Sequence, residues 1–321
     1  MVVRWAGCGF YILPILVDMQ RFVRKILIYA IPIVVIAIGL ELYVEHIPNS
    51  YTYKRNYMEQ HATEIKTLVL GSSYAYDGID VKVMDSAFNL ANSSQCFEDD
   101  YRLLQRYMPQ MSSLERVILP ISYSSLQMVS SSNRRGYYTI YMDIYPRWPI
   151  SKYSFECFNL ELMLKKIAKH LLQEDITRCD SLGQRVGHTL ESRPIGDWQD
   201  TKDLIRNDEF NGAAARPYID ENKEWLHRIA SLCQTNKVEL LLVIMPVMDA
   251  YRFGMPLDQI STMEVVSYEL CTRFDNVFHL DYQQWGRDDY FWNATHLNTT
   301  GAEIFTIHLA HDIHSLELWR K

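Results

Sequence analysis

Positive charge is in short supply. The 321 residues carry 32 Lys and Arg against 39 Asp and Glu, a formal net charge of −7. Nucleic acid is thereby excluded as the main partner, because binding a phosphate backbone needs clustered cations. Glycine (13) and proline (11) are sparse, which excludes collagenous and linker-dominated proteins. The six cysteines, Cys8, Cys96, Cys157, Cys179, Cys233 and Cys271, form no C-x-x-C and no metal-ligand spacing, so they decide neither zinc nor redox compartment. No Gly-rich phosphate loop, dinucleotide fingerprint or internal repeat is present, and no cofactor is expected. What remains, at 48% hydrophobic and 22% charged residues, is the composition of a globular protein.

One long apolar run stands out. Residues 26–40 read ILIYAIPIVVIAIGL without a charge, and the run extends to Val44 if Glu41 snorkels to the interface. That approaches the roughly 20 residues that cross a bilayer's hydrocarbon core. The run has no polar face, which argues against a buried core helix. Arg21, Arg24 and Lys25 precede it, favouring a cytoplasmic N-terminus and an extracytoplasmic body, periplasmic or cell-surface. Leu40-Glu41-Leu42-Tyr43 offers no small residues for signal cleavage. Residues 1–42 carry a net +2 and the remainder −9, a basic head on an acidic body. The expected organisation is a cytoplasmic N-terminus (1–25), a transmembrane anchor (26–44), a polar stalk (45–66) and a single domain (67–321) with an insertion at about 174–216. Met19-Gln20-Arg21 would be an ordinary start for such an anchor, so Met19 competes with Met1 as the initiating residue.

Beyond the stalk, short apolar runs at 67–70, 88–91, 116–120, 238–245 and 277–280 read as strands. Helical patterns lie between or after them at 98–108, 160–173, 218–236, 257–274 and 301–316. Alternating strands and helices predict a three-layer α/β/α fold around a parallel sheet. The run at 238–245 is continuous rather than alternating, so it requires burial on both faces. Residues 137–153, rich in Tyr and containing Trp148, have no clean period and read as a loop; ordinary packing outweighs a sugar-stacking wall there.

In such sheets ligands sit beyond the carboxyl ends of the strands. Gly71-Ser72-Ser73 follows the first strand, Asn92-Ser93-Ser94 the second, and Asn293-Ala294-Thr295-His296-Leu297-Asn298 comes after the last. A serine at a strand end and a late histidine are the materials of nucleophilic acyl transfer, with backbone N–H groups to hold the oxyanion. Each alone has a plainer reading, since Gly-Ser-Ser is ordinarily a turn and a loop histidine is ordinarily solvated. Together, and in this order, Val69-Leu70-Gly71-Ser72-Ser73, the 88–93 block and 293–302 resemble the SGNH (GDSL-like) hydrolases. They look most like the membrane-anchored branch that includes D-alanyl-lipoteichoic-acid biosynthesis and polysaccharide O-acetylation proteins.

That resemblance implies a flavodoxin-like SGNH fold, with Ser73 as nucleophile, His296 as general base, and Ser73, Ser93 and Ser94 at the oxyanion hole. It also implies an acylated glycan or envelope polymer as substrate and a membrane-bound O-acyltransferase as partner. Two departures matter. Pro120-Ile121-Ser122-Tyr123-Ser124 supplies no third-block asparagine, and Asn293 stands where the family has Asp. An Asn carbonyl can still orient the imidazole, and Asp288 or Asp289 could supply the charge if their loop folds back. The sequence therefore supports a serine esterase or O-acyltransferase, against a catalytically degenerate envelope protein that keeps the fold to bind glycan or scaffold an acylation complex. A soluble lipase fits less well with an uncleaved anchor. His308, His311 and His314 read as a solvated helix face rather than a metal site, because steps of three drift around a helix.

Overall fold

The computed structural model describes residues 9–129, 134–174, 177–193 and 216–319. The chain divides into two compact units, one of Met1–Ile47 with Phe155–Glu174, the other of Pro48–Ser154 with Asp175–Lys321.

In the first unit, helix α1 (Gly9–Glu45) contains the expected anchor and runs past both of its ends. Its stretch Met19–Glu45 is long and apolar enough to cross a membrane, and none of its most apolar window is buried by protein. The first eight residues of the expected cytoplasmic segment lie outside the described residues. The C-terminal turns of α1 meet the 3-10 turn Glu156–Phe158 and helix α7 (Leu160–Leu171). Glu41 accepts the backbone N–H groups of Glu156 and Cys157, both at 2.8 Å. Lys166 and Glu156 form a buried ion pair at 3.3 Å; burial pulls the Lys166 ammonium below its usual range.

The second unit begins with α2 (Ser50–His61), started by Asn49, whose side chain accepts from the N–H groups of Tyr51 and Thr52. The sequence suggested a polar stalk here. Instead Tyr51 and Met58 enter the core, and Lys54 is fully buried. The polar residues of this helix masked three inward positions, one turn apart. Five strands follow: β1 (Thr67–Val69), β2 (Ala87–Asn89), β3 (Arg116–Ile121), β4 (Glu239–Ile244) and β5 (Val277–Asp281). They form one parallel sheet in the order β2-β1-β3-β4-β5, the doubly wound order whose ligand crevice lies beside β1 and β3.

Strand β4 pairs on both sides, with β3 and β5, as its unbroken apolar run requires. Its alternate residues enter two different cores. Leu240, Leu242 and Ile244 join a core with α4 (Phe97–Tyr107), α8 (Arg216–Thr235) and α9 (Leu257–Arg273). Leu241 and Val243, with Met245 just past the strand, join another with α3 (Ser73–Gly78) and α10 (Thr299–Trp319). The period-2 alternation of a strand thus feeds both faces, and the fold is a three-layer α/β/α sandwich. After α5 (Tyr123–Gln127), the expected Tyr-rich loop (137–153) opens inside a helix, α6 (Arg135–Ile140), and is irregular beyond it. Tyr138, Tyr141 and Tyr145 are buried, so they are packing residues and offer no wall to a sugar. Of the expected insertion, 175–176 and 194–215 lie outside the described residues; 177–193 packs onto the sheet, with Asn89 N–H donating to Leu182 O.

Candidate active site

The turn from β1 into α3 is built to expose Ser73. Gly71 lies at φ +105°, where an added Cβ would stand 3.3 Å from the Pro120 ring, so the sharp turn needs glycine twice over. Its N–H donates to Asp100 Oδ1 at 2.9 Å, and Gln95 donates to the same oxygen at 2.6 Å. Asn92 N–H donates to Gly71 O at 3.2 Å. The 71–73 turn is therefore held against the 92–95 turn, and Ser73 opens the first turn of α3.

The histidine arrives by a separate device. Strands β6 (Phe291–Asn293) and β7 (His296–Leu297) form a small antiparallel hairpin with Asn293 opposite His296. Asn293 Oδ1 accepts from the N–H groups of Thr295 and His296 at 3.0 and 2.9 Å, and lies 3.0 Å from His296 Nδ1. Two backbone donors facing this atom identify it as the carbonyl oxygen. Facing that oxygen, Nδ1 carries the proton and donates, leaving Nε2 unprotonated. Nε2 lies 2.8 Å from Ser73 Oγ, across 223 residues of sequence, and in this tautomer it accepts the serine hydroxyl. Thr295 Oγ1, 2.9 Å from Nδ1, and Tyr74, whose ring stacks on the imidazole at 5.3 Å, hold the ring from two further sides.

The other sequence-predicted residues sit less centrally. Asp289 is turned outward into a bidentate pair with Arg287, and Asp288 presents its backbone carbonyl to Arg193. Neither orients the imidazole, because the hairpin brings Asn293 there first. Ser93 Oγ accepts from Arg185 at 3.3 Å, and Ser94, at φ 57°, forms the turn beyond it.

Sequence reasoning missed a charged cluster beside the pair. Asp77 lies one turn after Ser73 on α3, the i,i+4 spacing that puts two side chains on one helix face; that spacing was the available signal. It is buried, with Oδ2 3.8 Å from His296 Nε2 and 3.6 Å from His188 Nδ1. Arg185 reaches its other oxygen at 3.4 Å, and the His188 ring stacks on Trp292 at 3.8 Å. Arg185 and His188 come from the expected insertion, whose polar residues carry no motif. Beneath the cluster, Lys54 donates to Ala91 O and lies over the Tyr76 ring at 4.1 Å. Asn92 Nδ2 is buried with no hydrogen-bond partner among the described residues.

Burial dominates the electrostatics. It pushes the His296 imidazole down to about 3, with His188 and Arg185 adding to the shift. It pushes His188 down to about 4, aided by Arg185 and Arg178. Asp77 is pushed up to about 7 by burial, restrained by Arg185 and Lys54, and burial brings Lys54 down to about 7. A neutral His296 across the physiological range is the form that can accept a proton.

No family model matches the chain, and no curated protein matches it. In fold it is similar to a Streptococcus pneumonia protein provisionally described as a platelet activating factor, at 10% identity over 88% of this chain and 97% of that one, with a TM-score of 0.41. It is also similar to a GDSL-like lipase from Bacteroides thetaiotaomicron, at 10% identity over 83% of this chain and 99% of that one, with a TM-score of 0.39.

Proposed function

We propose that the protein is a membrane-anchored serine esterase or O-acyltransferase acting on a cell-envelope glycan or related polymer. The observation that carries this reading is the 2.8 Å approach of Ser73 Oγ to an unprotonated His296 Nε2 at the carboxyl edge of the sheet. Ser73 Oγ attacks the acyl carbonyl while its proton passes to Nε2. The carbonyl oxygen takes the negative charge, and backbone N–H groups at Ser73, Ser93 and Ser94, with the Asn92 amide, are the donors proposed to hold it. Collapse breaks the ester C–O bond, His296 returns the proton to the leaving hydroxyl, and Ser73 keeps the acyl group. Water or a sugar hydroxyl then repeats the sequence in reverse, giving hydrolysis or transfer. The positive charge formed on His296 is met by Asn293 at Nδ1 and by the Asp77 carboxylate beside Nε2.

The apolar stretch of α1, preceded by Arg21, Arg24 and Lys25, supports a single-pass anchor with a cytoplasmic N-terminus and an extracytoplasmic body. An acceptor polymer of the envelope, and a membrane-bound O-acyltransferase as acyl supplier, follow from the family resemblance. One observation favours a second reading. An Asn in place of the orienting carboxylate, with an imidazole held at about 3, makes a weak base, as a non-catalytic envelope protein would tolerate.

A fluorophosphonate probe separates the two. Peptide mapping is expected to find the adduct on Ser73, absent in Ser73→Ala and slowed about a hundredfold in His296→Ala. No adduct at all would favour the binding protein; an adduct that survives Ser73→Ala would remove Ser73 as nucleophile.

A further inference from the structure

Helix α7 carries an apolar face that is exposed among the described residues. Leu160, Leu164 and Leu171 are 58%, 53% and 70% exposed, and with Ala168 they fall within an arc of about 80° at 3.6 residues per turn. Phe158 before the helix and Leu172 after it are also more than half exposed. On another side of the helix Met163 and Lys166 are buried. Lys165 and Lys169 lie on its polar side, in ion pairs with Glu161 and Glu174. This is an amphipathic helix with one face spent on the protein and a second apolar face to spare.

Its position within its own unit says what covers that face. The charge-free run of α1 ends at Leu40, and the next residue, Glu41, bonds to the 156–171 segment. Glu41 caps the 3-10 turn through both carboxylate oxygens, and Tyr43 meets the His170 ring edge-on at 6.2 Å. Helix α7 is therefore fastened to α1 at the level where the apolar span gives way to polar chain. In a spanning helix that level is the bilayer surface, since each residue rises only about 1.5 Å. We infer that α7 is an interfacial helix, its Leu160–Leu164–Leu171 face sunk among the acyl chains beside the anchor and its lysines at headgroup level. The inference rests on the reading of α1 as a membrane anchor.

The full chain in phosphatidylcholine vesicles containing a lipid with a photoactivatable diazirine on its acyl chain provides the test. After irradiation, lipid adducts are expected on peptides from both 26–40 and 158–172. The triple variant Leu160→Glu, Leu164→Glu, Leu171→Glu alters only exposed positions. It should lose at least nine-tenths of the 158–172 adducts and keep those of 26–40, and unchanged near-ultraviolet circular dichroism would report that it folds. In the parent chain, adducts on 26–40 alone overturn the interfacial helix and leave the anchor standing. Adducts on neither overturn the anchor, and this inference with it. If 158–172 takes no lipid adduct, and an amine-reactive bifunctional reagent added to the same vesicles joins Lys165 or Lys169 of one chain to the same segment of another, the face belongs to a second copy and the inference is overturned.

Discussion

Asn293 is bound by more donors than a lone amide needs. Its Oδ1 faces two backbone N–H groups, the Thr295 hydroxyl and His296 Nδ1, a nest that would suit a carboxylate better than an amide. In a serine protease, exchanging the orienting Asp for Asn lowers kcat about 10⁴-fold, so the reverse change has room to help. Asn293→Asp is expected to raise kcat for an acetyl ester about tenfold or more, measured by steady-state hydrolysis; an unchanged or lower kcat would mean that this side of the ring does not limit the reaction. Asp77 makes a separate claim. With the His296 imidazole depressed to about 3 and the Asp77 carboxyl raised to about 7, the group near Nε2 that titrates around neutrality is the carboxyl. Activity should therefore rise with pH through about 7 as Asp77 ionises and becomes able to stabilise the imidazolium. Asp77→Asn should flatten that limb and lower the plateau roughly tenfold. A limb near pH 7 that persists in the variant would assign it to another group. Ser73 and His296 were legible in the sequence because each belongs to a short local motif at a strand end. Lys54 was hidden among polar neighbours, and Arg185 and His188 reach the cluster from a segment whose sequence has no period or motif.

Strand β4 was the most legible element, and its last five residues are all buried. A run of apolar residues that cannot sort into an inward and an outward set has to be covered twice, and Leu242 and Val243 are completely buried on opposite faces. Truncating Leu242→Ala removes contacts to both neighbouring strands and to the overlying helices. It is expected to lower the unfolding free energy by about 2–5 kcal/mol, read from the urea midpoint at constant slope; a loss under about 1 kcal/mol would mean the core can collapse around the cavity. The short hairpin of β6 and β7 was not legible, because three-residue and two-residue strands are too brief for alternation to register. The helix α2 escaped for another reason: its inward positions Tyr51, Lys54 and Met58 include a lysine, which reads as solvent-facing until its amine is seen to reach Ala91 O and the Tyr76 ring.

The stability of the whole molecule is tied to pH by groups of opposite sign. Asp77 and Asp100 are each held at about 7 against an ordinary value of 3.8, so the native state binds their protons more tightly. Their contribution to stability is largest in acid and declines as pH rises from about 4 to 7. His188 and His296, at about 4 and about 3 against 6.5, hold their protons less tightly when folded, and their contribution grows over roughly the same window. Each group changes the slope by about 1.4 kcal/mol per pH unit at most, so the pairs oppose each other. Relative to the parent chain, Asp77→Asn with Asp100→Asn should tilt the curve of urea midpoint against pH upward between pH 4.5 and 6.5. The double change His188→Gln with His296→Gln should tilt it downward. Parallel curves for all three proteins would mean these groups titrate alike folded and unfolded. The packing of 177–193 on β2 has a consequence of another kind. Strand β2 is the last strand on its side of the sheet, and a terminal strand with open amides can recruit the same strand from another molecule. Leu182 O occupies the Asn89 amide, Gly183 lies so close to Asn89 O that a Cβ would collide with it, and Asp180 is pinned to Lys82 at 2.8 Å. The segment that brings Arg185 and His188 to the serine thus also keeps neighbouring molecules from growing the sheet, so a chain that loses its grip there would forfeit solubility together with its charged cluster.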